Sequence, residues 1–114
     1  MNSTNVSHTE LAARKCGPCS GSTRPKSETE ILEHLKELPG WRYENGEIVK
    51  TFTFKNYAET VSFVNAVVWI AVHEDHHPRI EFGYKTCSVR YSTHAIGGIS
   101  DNDFICAAKI NRLL

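Results

Sequence analysis

The sequence has no excess of charge of either sign, and this absence limits the partners that the protein is expected to bind. Thirteen lysine and arginine residues balance thirteen aspartate and glutamate residues, so the formal net charge at pH 7 is zero. Nucleic acids and anionic membrane surfaces attract proteins that carry a clustered basic excess. We therefore expect no direct binding of nucleic acid and no attachment to a membrane.

Long hydrophobic runs are also absent. The longest apolar run, from Ala66 to Val72, is far shorter than the roughly 20 residues that a membrane-spanning helix needs. Residues 1–15 hold no apolar stretch of the kind found in secretory signals. We therefore expect a cytoplasmic location, in which the four cysteines are reduced thiols. The glycosylation sequons at Asn2 and Asn5 are then expected to be accidental.

The 114 residues are enough for one domain with a modest core. Residues 1–26 are polar, are broken by glycine and proline, and show no hydrophobic period. This composition predicts an extended or disordered N-terminal arm, which carries a Cys-x-x-Cys motif. The folded domain is predicted to cover residues 27–114.

Capping and turn signals divide the first half of this domain. Ser27 and Glu30 form a capping-box pattern before an apolar period of helical spacing. Asn45-Gly46 lies between two short strand patterns, as in a type I′ hairpin. Asn56 then begins a predicted helix that is rich in β-branched residues and apolar on two sides, so that it needs cover on two sides.

The second half predicts another hairpin and a last helix. Apolar and polar residues alternate after Pro78 and again from Cys87 to Tyr91, as in strands. Ser100 and Asp103 then form a second capping-box pattern. The predicted order is α-β-β-α-β-β-α, an α+β fold with a four-stranded antiparallel sheet and three helices on one face.

Four of the six histidines, His73, His76, His77 and His94, lie within 22 residues. Three of them fall where the central helix or the last strand is predicted to end, and catalytic side chains commonly converge at such positions. The unperturbed histidine pKa near 6.5 suits proton transfer at neutral pH. The alternative is that they are surface histidines stabilised near a helix C-terminus.

The run from His73 to His77 also matches H-E-x-x-H, a zinc-protease pattern in which both histidines lie on one continuing helix. Pro78 follows at once, and proline disfavours helix at the residue before it. We therefore predict no metal site.

Cys16 and Cys19 have the spacing of thioredoxin-type redox motifs. That chemistry needs a preceding strand and a following helix, and neither is predicted here. Half of a zinc site, with His8 as a further ligand, is a second interpretation. Two thiols without a fixed role are the third. Cys87 and Cys106 are predicted to be buried as small hydrophobic residues.

Several separated motifs resemble the signature of the pterin-4a-carbinolamine dehydratases, in order and at family spacing. Five residues separate Pro78 from Tyr84, nine separate Tyr84 from His94, and eight separate His94 from Asp103. The resemblance covers Ser27 to Leu114. The matching motifs are Leu38-Pro39-Gly40-Trp41, Phe52-x-Phe54-Lys55-Asn56-Tyr57, His76-His77-Pro78, Tyr84, Ser92-Thr93-His94, Gly97-Gly98 and Asp103.

The resemblance implies a hydro-lyase that dehydrates a 4a-hydroxytetrahydropterin by histidine acid–base catalysis and so recycles a pterin cofactor, with no metal or bound cofactor of its own. The catalytic histidines would be His76, His77 and His94. We expect His77 and His94 to transfer protons and His76 to hold the ring and the hydroxyl. Asp103 would orient His94 or another histidine, or else serve only as a capping acid.

The resemblance also supplies candidate pterin contacts, each with a structural alternative. The candidates are Asp75, Pro78, Ser92, Thr93 and Trp41. In the structural alternative, Asp75 is a solvated carboxylate, Ser92 and Thr93 pack within a strand, and Trp41 belongs to the core. Family members form dimers and tetramers, so a homo-oligomer is expected. Some serve as dimerisation partners of a transcription factor or act in molybdopterin metabolism, so a non-catalytic binding module is the alternative function. The sequence departs from the family at Val72, where a polar residue is usual.

Overall fold

The computed structural model describes residues 7–18 and 23–114 of the chain. These residues form four α-helices, four strands and one 3₁₀ turn. From the second helix onward, the order of the helices and strands confirms the predicted fold. The elements are α1 (His8–Ala13), α2 (Glu28–Leu35), β1 (Arg42–Glu44), β2 (Glu47–Thr53), α3 (Tyr57–Glu74), β3 (Arg79–Phe82), β4 (Thr86–Tyr91), the 3₁₀ turn (His94–Ile96) and α4 (Asp101–Asn111).

The strands form one antiparallel sheet in the order β1-β2-β4-β3. In its centre, Ile48 pairs with Tyr91 and Phe52 pairs with Cys87. Side chains alternate between the two faces of a sheet, so these four residues point to one face, where all are buried. The prediction that Cys87 is a buried thiol is confirmed, as it is for Cys106.

Three helices cover that face. Ile31 of α2, Val67 of α3 and Phe104 of α4 belong to one core cluster with the inward side chains of the sheet. Every residue of α4 from Asn102 to Ala108 is buried. Since buried polar groups need hydrogen-bond partners, the two polar residues on this stretch, Asn102 and Asp103, must find theirs inside the protein.

Local signals in the sequence predict how these elements begin and turn. At the start of α2, the Glu30 backbone N–H donates to the Ser27 hydroxyl (3.2 Å), and the Ser27 N–H donates to the Glu30 carboxylate (2.8 Å). Between β1 and β2, Asn45 and Gly46 have φ angles of 53° and 80°, as both central residues of a type I′ turn require. The predicted capping box and hairpin turn are confirmed.

The N-terminal segment differs from the extended arm that its sequence predicts. Residues 8–13 form α1, which packs against α4, and Leu11 is buried in the core. The Lys109 ammonium donates to the Ala12 carbonyl at 2.8 Å. Six helical residues are too few to show a hydrophobic period, and such a short helix depends on tertiary packing for its stability. The boundary between arm and domain stays a prediction, and Cys19 lies outside the described residues.

Within residues 7–18 and 23–114, one side of α3 remains uncovered. Phe63, Val67 and Ile70 are buried, whereas Trp69 and Val72 are more than 60% exposed. The prediction that α3 is apolar on two sides is therefore confirmed, and an exposed apolar patch of this kind typically marks an interface.

None of the helices in the described part of the chain is long and apolar enough to cross a membrane. The cytoplasmic location stays a prediction.

Candidate active site

A cleft of about 1080 Å³ opens beside the C-terminus of α3 and the end of β4. Its lining comes from residues 74–79, from residues 92–95 with Arg90, and from residues 16–18 with Asn102 and Glu47. The first two segments follow directly on a helix and a strand. Their side chains are therefore held by a rigid scaffold and remain accessible, as binding and catalytic groups require.

A short polar contact at this cleft joins His76, just after α3, to Asp103 on α4. His76 Nε2 lies 2.6 Å from Asp103 Oδ1, and the Asp103 side chain has no exposed surface. A carboxylate only accepts hydrogen bonds, so Nε2 carries the proton of this contact. The tautomer and the plane of the His76 ring are thereby fixed.

Both oxygens of the Asp103 carboxylate accept hydrogen bonds from neighbouring residues. Its second oxygen accepts hydrogen bonds from the Thr93 hydroxyl at 2.8 Å and from the Ser100 backbone N–H at 2.9 Å. The Thr93 and Ser100 hydroxyls are themselves 2.6 Å apart. One carboxylate therefore caps α4 and also accepts a hydrogen bond from a histidine.

The sharp end of α3 brings His76 to this position. Asp75 adopts a left-handed conformation with φ of 51°, and the His76 N–H donates to the Ala71 carbonyl at 3.2 Å. Left-handed residues commonly end helices in this way. Pro78 then starts an extended path into β3, so that His76 turns inward and His77 faces the solvent.

Two opposing effects set the pKa of His76. Burial of the ring lowers it, but the hydrogen bond to Asp103 and the charge of that carboxylate raise it, and the net pKa lies above the ordinary histidine value. The ring also stacks on Tyr91, with centroids 5.4 Å apart and planes within 6°. The contact with Asp103 therefore stabilises the protonated form of His76 relative to an ordinary histidine, and the stacking fixes the plane of its ring.

His77 and His94 lie on the open rim of the cleft. The His77 side chain is 68% exposed, and its Nε2 is 4.0 Å from Asp75 Oδ1. His94 begins the 3₁₀ turn and is also exposed. Both imidazoles line the cleft and are open to the solvent, unlike the largely buried ring of His76.

The other predicted pterin contacts divide into two groups. Asp75, Pro78, Ser92 and Thr93 line the cleft with the histidines. Trp41 does not: its indole is buried in the core and donates to the Asn111 side chain at 2.9 Å. Its ring lies behind Tyr91 at 6.4 Å. The core alternative therefore describes Trp41, whose place is to support the wall and not to form it.

The sequence interpretation missed the N-terminal wall of the cleft. Cys16, Gly17 and Pro18 line it, and the Cys16 N–H donates to the Glu74 carboxylate at 2.8 Å. Gly17 and the Asn102 side chain exchange two hydrogen bonds, at 3.0 and 2.7 Å. These contacts join residues more than 50 positions apart, so no local sequence pattern predicts them.

Two arginines on the open face of the sheet also reach the cleft and were not singled out. Arg79 donates to Glu47 at 2.7 Å, and Arg90 lies 3.3 Å from Glu44. The sequence did hold a signal: the alternation of side chains along β4 places Arg90 on the face of the sheet that points away from the core. Both guanidiniums are engaged by carboxylates, so they shape the mouth of the cleft through ion pairs.

The H-E-x-x-H pattern does not form its helical pair. The helix that would have to carry both histidines ends at Glu74, and the His73 ring is stacked on Trp69 at 3.7 Å. Across residues 7–18 and 23–114, no cluster of three or more histidine, cysteine, aspartate or glutamate side chains is placed to hold a metal ion.

Comparisons with known proteins agree on one family. Residues 24–113 match the model of the family described as pterin 4 alpha carbinolamine dehydratase. A Nitrosospira multiformis protein, provisionally named a pterin-4-alpha-carbinolamine dehydratase, is 55% identical over 104 residues, which cover 91% of this chain and 92% of that protein. A similarly named Nitrosomonas eutropha protein is 53% identical over 106 residues, covering 92% and 94%.

A solved structure is similar as well. The crystal structure of a transcriptional coactivator/pterin dehydratase from Brucella Melitensis superposes with a TM-score of 0.75 at 28% sequence identity. The alignment covers 79% of this chain and 98% of that one. The four-stranded sheet with its helices is therefore shared with a protein of that description.

Proposed function

The chain belongs to the pterin 4 alpha carbinolamine dehydratase family, and on this premise we propose that it dehydrates a 4a-hydroxytetrahydropterin to the quinonoid dihydropterin. One observation carries the proposal: the buried His76–Asp103 pair opens onto a cleft whose rim holds two exposed imidazoles, His77 and His94. Three histidines around one cleft suit a reaction made only of proton transfers and the loss of water.

The reaction requires one proton to be delivered and another to be removed. The N5 lone pair forms the C4a=N5 double bond as the C4a–O bond breaks, the hydroxyl leaves as water, and N5 loses its proton. We assign these two transfers to His77 and His94, because exposed rings reload from solvent between turnovers. Each positioned group of this kind contributes about 10² to 10⁴-fold.

His76 has the complementary task of holding the ring and the hydroxyl. Asp103 occupies its Nε2, which leaves Nδ1 for the ligand. Asp103 is thus a positioning residue, supported by Thr93 and Ser100. Asp75, Pro78, Ser92 and Thr93 line the remaining wall, and we propose that they contact the flat pterin through hydrogen bonds and packing.

A stopped-flow assay with enzymatically generated 4a-hydroxytetrahydropterin tests the activity directly. The wild-type protein is expected to accelerate dehydration over the spontaneous rate, and His76→Ala is expected to lose most of that acceleration. His73→Ala is the matched control, because His73 lies one turn before on α3, is exposed and does not line the cleft. A wild-type rate equal to the spontaneous one would refute the proposal.

A binding module is the second candidate function, and the exposed face of α3 favours it. Val68, Trp69 and Val72 present a contiguous apolar surface that a partner protein could cover, in the manner of a dimerisation factor. The stopped-flow assay separates the two functions. A folded protein that binds a partner through this face but leaves dehydration at its spontaneous rate would be a binding module without this enzymatic activity.

We also propose that the protein is a homo-oligomer, a dimer or a tetramer built from two dimers. The same face of α3 offers one interface, and the edge strands β1 and β3 offer sites for pairing across a two-fold axis. Light scattering measures the mass. Trp69→Glu should lower the measured mass. The control is Glu59→Gln, an exposed change near the start of α3, which should leave the mass as it is. A wild-type mass of one chain at micromolar concentration would contradict the proposal.

A further inference from the structure

Two thiols meet at the inner wall of the cleft. Cys16, in the segment after α1, and Cys106, on α4, have their sulfur atoms 3.5 Å apart. Cys16 is partly exposed and lines the cleft, whereas Cys106 is fully buried behind it. The acid–base chemistry proposed above uses neither thiol.

The approach of the two sulfurs is built into the fold. The hydrogen bonds from Cys16 to Glu74 and between Gly17 and Asn102 fix the backbone on both sides of the first thiol. The Cys16 thiol also lies 3.6 Å from the Asn102 carbonyl, one turn before Cys106 on α4. Two cysteines held in this way need only a small movement to reach the bonding distance of a disulfide, about 2.05 Å.

We propose that Cys16 and Cys106 form a thiol–disulfide exchange site whose co-reactant is a low-molecular-weight disulfide. Oxidation joins the segment that forms the N-terminal wall of the cleft to the helix that carries Asp103. The proposal does not depend on the dehydratase activity, because it concerns sulfur chemistry that can be measured without a pterin.

The exchange proceeds in two balanced steps. The hydrogen bond to Cys106 and burial raise the pKa of Cys16, so the Cys16 thiol loses its proton to the solvent as its sulfur attacks one sulfur of the small disulfide, whose S–S bond breaks and releases one thiolate. The Cys106 sulfur then attacks the Cys16 sulfur of this mixed disulfide and expels the second thiolate. The protein loses two electrons and two protons, and the small disulfide becomes two thiols.

The surroundings of Cys106 support the second step. In the reduced protein, the hydrogen bond from Cys16, the charge of His76 and the Tyr91 hydroxyl lower the pKa of Cys106 against the effect of burial. Once Cys16 is in the mixed disulfide, its hydrogen bond is lost, and His76 and the Tyr91 hydroxyl continue to act on the attacking sulfur. The thiolate is the attacking form in such exchange. The partly exposed sulfur therefore meets the reagent, and the buried one resolves the mixed disulfide.

The sequence motif suggests a different partner for Cys16, namely Cys19, so the test must separate the two. In Cys19→Ser, trypsin places the three remaining cysteines on different fragments, 16–26, 86–90 and 91–109. After treatment with oxidised glutathione, we expect fragment 16–26 joined to fragment 91–109, and a protein mass lower by two hydrogen atoms. Bound glutathione without the joined fragments, an unchanged mass, or a link to 86–90 would overturn the proposal.

The thermal transition supplies a second measurement. The cross-link closes a long loop, so oxidation of Cys19→Ser should raise the Tm by at least about 5 °C, and dithiothreitol should reverse the shift. Cys19→Ser/Cys87→Ser should behave in the same way, whereas Cys16→Ser/Cys19→Ser should show no shift. In the wild-type chain, a link between Cys16 and Cys19 in place of the link to Cys106 would also overturn the proposal.

Discussion

His76 and His77 are neighbours in the chain, yet they occupy opposite environments in the cleft. The side chain of His76 is 12% exposed and is held at 2.6 Å by a buried carboxylate. The side chain of His77 is 68% exposed, and the nearest carboxylate oxygen, on Asp75, is 4.0 Å away. The inner wall is therefore preorganised, while the rim is free to reorient.

This difference teaches how one cleft can combine two tasks. In the proposed reaction, the clamped imidazole with its raised pKa holds the ligand, and a fixed group of this kind needs little reorganisation. An exposed imidazole exchanges protons quickly with water. Changes to the inner wall should then affect stability and activity together, whereas changes to the rim should affect activity alone.

The largest effect is expected from removing the carboxylate that defines the inner wall. Asp103→Ala leaves His76, Thr93 and the Ser100 N–H without their common acceptor. We expect the free energy of unfolding to fall by about 3 kcal/mol, as for a broken buried pair, and the dehydration rate to fall about 100-fold. Denaturant titration and stopped-flow kinetics measure the two effects.

Asp101→Ala is the matched control for that change. Asp101 lies two residues earlier on α4, its side chain is 61% exposed, and it makes a surface ion pair with Lys26. Such pairs contribute about 0–1 kcal/mol, so this variant should keep near-normal stability and rate. An Asp103→Ala protein as stable as Asp101→Ala would show that the inner wall is not preorganised by its carboxylate.

Changes at the rim should separate activity from stability. His77→Ala and His94→Ala are each expected to lower the dehydration rate at least about tenfold. Because both side chains are exposed, the free energy of unfolding should change by no more than about 0.5 kcal/mol. A variant that folds normally and keeps the full rate would remove that histidine from the proton-transfer pair.

The pH dependence of stability sharpens the same contrast. In the folded protein the pKa of His76 is raised, so its contribution to stability is fully present below the pKa of an unfolded histidine, about 6.5. It is lost as the pH rises through the folded pKa. The stability difference between wild type and Asp103→Asn should therefore shrink between about pH 6 and pH 8, as measured by denaturant titration. A stability difference between wild type and Asp103→Asn that stays constant over this range would contradict the raised pKa.

The smallest effect is expected at Asp75, which is almost fully exposed beside His77. Asn tolerates the left-handed backbone of this position nearly as well as Asp, so Asp75→Asn should keep its stability. If the carboxylate contacts the pterin, KM should rise about threefold with an unchanged kcat, in line with the loss of one exposed hydrogen bond. Unchanged KM and kcat would instead support the solvated alternative.

The element order and the candidate histidines could be predicted because their signals are local. Ser27, Asn56 and Ser100 occupy capping positions whose partners lie within three residues, and Asn45-Gly46 selects its turn through positive φ angles. The spacing of histidines around Pro78 marked the cleft. The N-terminal helix was missed because Leu11 is a single apolar anchor on six helical residues, and its stability comes from α4.

By itself, the sequence determined the α+β fold, the family and the histidines of the cleft, since periodicity, caps and motifs are properties of neighbouring residues. Only the tertiary structure decided which histidine Asp103 holds, that Trp41 supports the wall from the core, and that Cys16 meets Cys106. These outcomes depend on distances between segments tens of residues apart, and such distances arise only when the helices pack on the sheet and buried polar groups such as Asp103 find their partners.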